Sequence, residues 1–526
     1  MNIYKKLGLG ALAVSLGIGA ASCKKSYLDT KPTNQVQLDD VFKTVDGAKS
    51  VIHGITRLFY GNATNHDEFG LPAINLYHDL MGEDFGINGV NWFYDAANYS
   101  VARTGTSYPW DFYYKVINNT NYILKYIDQA TGSETDRNEV KGQALALRGW
   151  AYLQLIQTYQ FPYGGAEYIC DPGGAATSGV SVSGASTTQA LGVPIYTEPT
   201  KTAAGRGSMK DVLDRLNSDL DSSLYYFEQG TGARSDKSQI NINVAYGIHA
   251  RAALYQRLWA KAAASAQKAR EGYQLATGTG LLDGFNKVSA PEWIWGLEIN
   301  QEQNTIYASF ASHMDIRISP YARTAQKIAS AGFYRANVDI PLRILDTTDI
   351  RRNWWVPYSG NIAGYTADGY IRRSQLKFKA QNATSFLTDY PLMRVAEMYL
   401  VEAEALAMAN DLTAAKQVLE EFAITRDADF LNSPTLTLAT KNDVVQEIWR
   451  QRRIELWGEG FRLFDAKRQM VASTGVTPLV AINRGASGFL GRVYSSKMLI
   501  SAYAVDLNFR IPTNERLQNP GVINNP

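Results

Sequence analysis

The segments ARAALYQRLWAKAAASAQKA (250–269) and EAEALAMANDLTAAKQVLEE (402–421) share one pattern, and this pattern decides the fold. In each, a leucine (Leu254 or Leu406) is followed eight residues later by a pair of alanines. The pattern predicts a helix, a tight turn and a second helix whose small residues allow close packing. Stacked hairpins of this kind form solenoids such as tetratricopeptide arrays. Alanine-rich helices also pair in ordinary bundles, so the pattern alone leaves both architectures open.

Apolar residues recur at helical spacing along most of the chain, which predicts a largely α-helical protein. The first helix signal is Asp39-Asp40 before VFKTVDGAKSVIHGITRLFY. The further predicted helices are 110–129, 134–158, 209–227, 244–259, 262–275, 392–409, 412–425 and 441–464. Strands are predicted at 293–299 and 354–358. The predicted long irregular stretches are 82–109, 162–207, 278–291, 302–336 and 356–389. Loops of this length are usually functional or are insertions.

The N-terminal residues predict an export signal. A basic start, MNIYKK, precedes the apolar run LGLGALAVSLGIGAAS and then Cys23, in the order that a cleaved signal requires. This run is too short to span a bilayer, and no later segment has the roughly 20 apolar residues of a spanning helix. We expect a lipoprotein signal peptide at 1–22, a lipid anchor on Cys23 with an extended linker at 23–38, and a single helical domain with loop insertions at 39–526. The alternative is an ordinary secretory signal followed by an incidental cysteine.

Charge and motif content argue against several classes of function. The formal net charge of +2 argues against nucleic-acid binding, which requires a strongly basic surface. None of the five histidines is spaced as H-E-x-x-H, and Cys170 is the only cysteine besides Cys23, so neither metal catalysis nor a cofactor is expected. Nucleophile-elbow, phosphate-loop and dinucleotide motifs do not occur. Glu83-Asp84, in a loop beside aromatics, leave a two-carboxylate glycoside hydrolase open, and His66-Asp67-Glu68 predict a polar loop rather than a cation site.

Three further segments contain recognisable motifs: PLMRVAEMYLVEAEAL (391–406), RRIELWGEGFRLFDAKR (452–468) and RIPTNERLQNPG (510–521). The first predicts an amphipathic packing helix, and the second suggests a partly buried ion network around large aromatics. In this order, behind a lipoprotein-like signal, they closely resemble the SusD/RagB family of Gram-negative outer-membrane lipoproteins. The sequence departs from that family at Gln451, where glutamate is common, and at Lys24-Lys25, where acidic residues often follow the anchor.

The resemblance implies a mainly α fold. About four tetratricopeptide-like hairpins would form a right-handed superhelical body with long irregular loops and a few short strands. It also implies a non-enzymatic protein, lipid-anchored in the outer membrane and facing the cell exterior. The implied partners are a SusC-like TonB-dependent transporter and an oligosaccharide or, in some members, a peptide ligand. The family's binding residues vary with the ligand, so none is carried over, and the identity of the glycan and any role of calcium stay open.

Exposed aromatic side chains beside polar groups are the expected ligand contacts, because sugar rings stack on flat aromatic faces. The segment GINGVNWFYDAANYS (86–100) places Trp92, Phe93 and Tyr94 between Asn91 and Asp95. We expect these five residues to contact ligand. The alternative is that one or two of the three rings merely pin the loop to the helical body.

A second candidate stretch has neither a strong helical nor a strong strand pattern and contains Tyr307, His313, Tyr321 and Arg323. We expect the two tyrosines and the arginine to contribute further ligand contacts. The leading hypothesis is therefore an oligosaccharide-binding lipoprotein that delivers its ligand to a transporter. The alternatives are a peptide receptor of the same architecture, a surface glycoside hydrolase, and a periplasmic helical-repeat scaffold without a small ligand.

Overall fold

The computed structural model describes residues 38–61, 65–82, 92–93, 96, 107–163, 191–230, 234–300, 308–315, 317–318, 348–355, 375–382, 385–434, 436–479 and 507–524. The predicted signal peptide, Cys23 and nearly all of the predicted linker lie outside these residues. Among the described helices, none combines the length and the apolar character that a membrane crossing requires.

The described chain is mainly α-helical, which confirms the predicted fold class. Its helices are α1 (Leu38–Val41), α2 (Val45–Phe59), α3 (Leu71–Met81), α4 (Ser107–Tyr126), α5 (Glu134–Tyr159), α6 (Met209–Glu228), α7 (Ile242–Tyr255), α8 (Trp259–Arg270), α9 (Phe310–Met314), α10 (Val395–Met408), α11 (Leu412–Ala423), α12 (Lys441–Glu455), α13 (Arg462–Gln469) and α14 (Thr513–Gln518). The strands β1 (Trp293–Leu297) and β2 (Tyr390–Arg394) pair antiparallel, with Leu297 opposite Tyr390.

The two segments with the shared alanine pattern form helical hairpins, as predicted. Helices α7 and α8 make one hairpin, and α10 and α11 make the other. In each, a left-handed residue, Arg257 (φ 62°) or Asn410 (φ 71°), follows the first helix. The N–H of the next residue then donates to the carbonyl five positions earlier at 2.9 Å, which satisfies an end carbonyl of the helix. The hairpins stack through α8 and α10, so the repeat is tetratricopeptide-like rather than a simple bundle.

The other long helices extend this stack in chain order. Helix α5 packs between α4 and α6, and α6 packs on α7. Helix α5 is buried on most of its surface, because it has neighbours on both sides. At the other end of the stack, α12 packs against α10 and α11. Apolar side chains of these helices form one large core and a smaller cluster among α10, α11 and α12.

Several predicted elements differ from the structure: the predicted helix 262–275 corresponds to α8 (Trp259–Arg270), and α9 (Phe310–Met314) lies within the predicted irregular stretch 302–336. Three further differences have clear physical reasons. The predicted helix 441–464 ends at Glu455, because Gly458 and Gly460 adopt left-handed φ values of 83° and 88° that turn the chain before α13. The predicted helix 392–409 begins only at Val395, because residues before it form β2 beside β1. The predicted strand 354–358 is wrong at its start, where Ile350–Trp354 forms a 3-10 turn; residues 356–358 lie outside the described chain.

The segments 391–406 and 452–468 meet in a buried ion network. Glu455 accepts hydrogen bonds from Arg394 and Arg426 at 2.9 Å and from Arg351 at 3.3 Å, and these four side chains are at most 1% exposed. Arg394 also donates to Glu459 at 2.6 Å. Burial alone would raise the pKa of Glu455, but the three guanidinium groups hold it well below its usual range. The network predicted from the sequence is therefore present, and its centre is fully buried.

Candidate functional site

Trp92 is a partly exposed aromatic residue beside the helical body. Its side chain is 43% exposed, which is unusual for so large an apolar group. The indole stacks on the imidazole of His66, with ring centroids 3.8 Å apart and planes inclined by 21°. One face of the indole is therefore covered by a second ring.

The ring beneath Trp92 is held by a second histidine. His66 Nδ1 lies 3.0 Å from Nε2 of His313 in α9, so one of the two nitrogens donates a hydrogen bond to the other. Ser309 caps α9 through the N–H of Ser312, which places His313 on a defined turn. Burial lowers the pKa of His66, and burial with a smaller effect from His66 lowers the pKa of His313 to about 3. Both imidazoles are therefore neutral at pH 7, and the hydrogen bond between them persists.

Phe93 points the opposite way from its neighbour. Its side chain is fully buried, with its ring centroid 5.2 Å from that of His313 and 5.9 Å from that of Tyr77. The prediction that Phe93 contacts ligand is therefore wrong, because its ring is in the core. Phe93 packs the loop against the helical body, while Trp92 stays at the surface. This agrees with the alternative that one or two of the three rings merely pin the loop to the body.

The structure brings together two stretches that were separate candidates in the sequence. His313 belongs to the second stretch, and it supports Trp92 of the first through His66. The remaining predicted contacts, which stay predictions, lie outside the described residues: Asn91, Tyr94, Asp95, Tyr307, Tyr321 and Arg323. Sequence reasoning missed His66 as a support, although it lies in a polar, aromatic-rich segment between α2 and α3.

Within the described chain, no group of three or more His, Cys, Asp or Glu side chains is arranged to hold a metal ion.

Two family models match this chain. Residues 355–526 match the model of the SusD family, and residues 26–254 match a model described as starch-binding associating with outer membrane. Together the two matches cover most of the sequence, and they include the segments 391–406, 452–468 and 510–521. No curated protein sequence matches the chain.

Solved structures share the fold over nearly the whole chain. A SusD-like carbohydrate binding protein from Bacteroides vulgatus is 27% identical, with a TM-score of 0.72 over 91% of this chain and 97% of that one. A SusD superfamily protein from Bacteroides thetaiotaomicron is 21% identical, with a TM-score of 0.70 over 92% of this chain and 100% of that one. One from Bacteroides fragilis is 18% identical, with a TM-score of 0.69 over 92% and 100% of the two chains.

The segments that resemble the SusD/RagB family have identifiable structural roles in this protein. The segment 391–406 supplies β2 and α10, and the segment 452–468 supplies Glu455 and Glu459 of the ion network and most of α13. These roles agree with the family models at both ends of the chain and with the shared fold. The protein therefore belongs to the SusD/RagB family.

Proposed function

We propose that this protein is a cell-surface lipoprotein that binds an oligosaccharide and delivers it to a SusC-like TonB-dependent transporter in the outer membrane. The observation that carries the proposal is the exposed Trp92 indole on its neutral histidine support. One matching family model is described as starch-binding and associated with the outer membrane, and a structural relative is described as a carbohydrate binding protein. These descriptions favour a sugar over other ligands for a flat exposed ring.

The geometry of Trp92 suits a sugar ring. The C–H face of a pyranose is apolar, and it stacks on an aromatic face while its hydroxyl groups remain available for hydrogen bonds. Because His66 already holds the indole from below, a ligand would not have to immobilise it. A preorganised contact of this kind loses less conformational entropy on binding than a mobile side chain would.

The proposal is for binding without turnover. In the described part of the site, Trp92 makes ring contacts with two neutral histidines that are hydrogen-bonded to each other. This arrangement supports stacking, whereas glycoside hydrolysis needs two carboxyl groups on opposite sides of a glycosidic bond. Glu83-Asp84 lie outside the described residues, so the hydrolase alternative is tested by looking for product.

The first test is calorimetric titration of the purified protein and its Trp92→Ala variant with neutral oligosaccharides and with peptides. We expect saturable binding of one glycan class, no product, and at least a tenfold loss of affinity in the variant, equivalent to about 1.4 kcal/mol. Tyr225→Ala is the matched control, since Tyr225 is also an exposed aromatic (59%) but lies on α6. Peptide-only binding would favour the peptide receptor, and product formation would contradict the non-enzymatic proposal.

The proposed anchor has its own test. Cys23→Ala removes the thiol that would carry the lipid, so we expect the protein to move from the membrane fraction to the soluble fraction. Stable attachment requires acyl chains when no helix spans the bilayer. Cys170→Ala is the matched control and should leave the distribution between fractions unchanged. Retention of the Cys23→Ala protein in the membrane fraction would contradict the lipid anchor.

A further inference from the structure

A polar groove lies between α4, the segment 196–203 and α14, and the proposed platform at Trp92 does not include it. Its volume is about 490 Å³, within the range of roughly 300–1,000 Å³ that is typical of small-molecule sites. Its floor is aromatic. Trp110 and Tyr114 of α4 have ring centroids 4.8 Å apart, and Tyr196 meets Tyr114 edge-on at 5.9 Å. Trp110 is buried, whereas Tyr114 and Tyr196 are half-buried, so the two tyrosines supply the aromatic surface of the groove below its polar rims.

Hydrogen bonds fix the first two walls to each other. The Tyr114 hydroxyl donates to the carbonyl of Pro194 at 2.8 Å, and the Asn121 amide donates to the carbonyl of Tyr196 at 3.0 Å. Tyr152 of α5 binds both the N–H and the carbonyl of Tyr196, at 2.7 and 2.9 Å. The segment that faces α4 is thus held along its backbone, although it has no regular secondary structure.

The third wall, α14 and the residues after it, is also fastened by hydrogen bonds. The Asn519 amide donates to the carbonyl of Ala204 at 2.7 Å, and Arg206 donates to the carbonyl of Ile523 at 2.6 Å. These bonds attach the C-terminal segment to the segment that forms the second wall. Because hydrogen bonds join the three walls to one another, the groove exists before any ligand arrives.

The rims carry polar side chains that the fold does not use. Six of these side chains make no hydrogen bond or ion pair within the described part of the chain. They are Asp111, Lys115, Asn118, Glu198, Lys201 and Gln518. Partial burial raises the pKa of Asp111, with Glu515 acting in the same direction and Lys115 against it. These groups can donate or accept hydrogen bonds without breaking any contact of the fold.

The rims also indicate the kind of ligand. Three carboxylates and two ammonium groups line the groove, so its nearly balanced charge favours neither a polyanion nor a polycation. An aromatic floor under rims of amides, carboxylates and ammonium groups matches a neutral, hydroxyl-rich molecule with apolar ring faces. We propose that this groove is a second saccharide-binding site, separate from the Trp92 platform. The proposal rests on the proposed function, because it assumes that the protein meets oligosaccharides.

The test separates the two sites by substitution. Asn118→Trp fills the groove from α4, and Asn118→Ala with Gln518→Ala removes two rim amides; both positions are exposed, so the fold should tolerate the changes. Lys125→Ala is the matched control, since Lys125 is exposed on the same helix but does not line the groove. Binding of maltoheptaose, cellohexaose, xylohexaose and mannohexaose is measured by calorimetry and by ligand-observed NMR at millimolar concentration. Tri-galacturonate serves as the charged probe.

We expect Trp92→Ala to retain binding of one neutral oligosaccharide, and Asn118→Trp in the same chain to reduce that remaining affinity at least tenfold. Loss of all binding in Trp92→Ala alone would contradict a second binding site in the groove and leave the proposed function intact. Residual binding that is unchanged by Asn118→Trp and by the amide variants, or a preference for tri-galacturonate, would also overturn it. If the protein without substitutions binds none of the neutral probes, both proposals fail.

Discussion

At the scale of single residues, the loop with consecutive aromatics shows that residue type alone does not determine which ring is exposed. Trp92 and Phe93 are neighbours in the sequence, yet one is 43% exposed and the other is fully buried. Their directions depend on His66 and His313, which are 247 positions apart. The composition of the loop predicted an exposed aromatic ring, and Trp92 is exposed, whereas the choice of ring required contacts that no local pattern contains; ligand binding by Trp92 stays a prediction.

The support beneath the platform can be tested separately from the platform. His66→Ala removes the ring that stacks on the indole and leaves His313 without this hydrogen-bond partner. We expect glycan affinity to fall by about two- to tenfold, less than in Trp92→Ala, because the indole remains but loses the ring on which it stacks. Unfolding by urea should show a loss of about 1–3 kcal/mol, since a buried polar group loses its partner. His53→Ala, at an exposed position on α2, is the control, and unchanged affinity in His66→Ala would contradict the supporting role.

At the scale of elements, the sequence predicted the long helices well and their junctions poorly. Helices α5, α6 and α11 begin at the predicted residues, because caps and apolar spacing are local signals. Helix α3 was missed, although Pro72 in its first turn is a start signal. The strand β2 was read as helix, because its apolar residues fit either period and only the pairing with β1 decides between them.

A pair of helix glycines tests how tightly α5 and α6 pack. A methyl group at Gly149 of α5 would lie 2.9 Å from the Leu220 side chain and 3.3 Å from the Leu216 carbonyl of α6, whereas one at Gly54 of α2 would meet nothing within 4 Å. We expect Gly149→Ala to lower the free energy of unfolding by about 1–3 kcal/mol through overpacking.

Gly54→Ala should raise the same free energy by about 0.5–1 kcal/mol, because alanine favours the helix. Urea denaturation of both variants measures the two effects, and equal stabilisation would mean that α5 and α6 have room to separate.

At the scale of the whole molecule, the buried ion network joins parts of the chain that are distant in sequence. Glu455 of α12 meets Arg394 of β2, and it also meets Arg351 and Arg426, which precede and follow the α10–α11 hairpin. The sequence indicated charges beside aromatics in 452–468, and the structure adds the partners from other segments. Periodicity cannot reveal such partners, because they are brought together only by the stacking of the hairpins.

Removing the central carboxylate should therefore destabilise the whole molecule. Glu455→Gln keeps the shape of the side chain but leaves three buried guanidinium groups without its charge. We expect the free energy of unfolding to fall by about 3–5 kcal/mol, as when one partner of a buried ion pair is removed. Asp214→Asn, which breaks an exposed pair with Lys210, should cause no measurable change. A similar small effect in Glu455→Gln, measured by urea denaturation, would show that the network contributes little to stability.

The attachment of the C-terminal segment also affects the order in which the molecule is completed during synthesis. Arg206 binds the carbonyl of Ile523, 317 positions later, and Phe509 donates to the carbonyl of Thr158 at 3.0 Å. At roughly 5–20 residues per second, a ribosome needs about 16–60 s to travel from the first member of the Arg206 contact to the second. During that interval the early helices lack the segment that closes over them. We therefore expect the growing chain to remain incompletely closed until the segment 509–523 has been made.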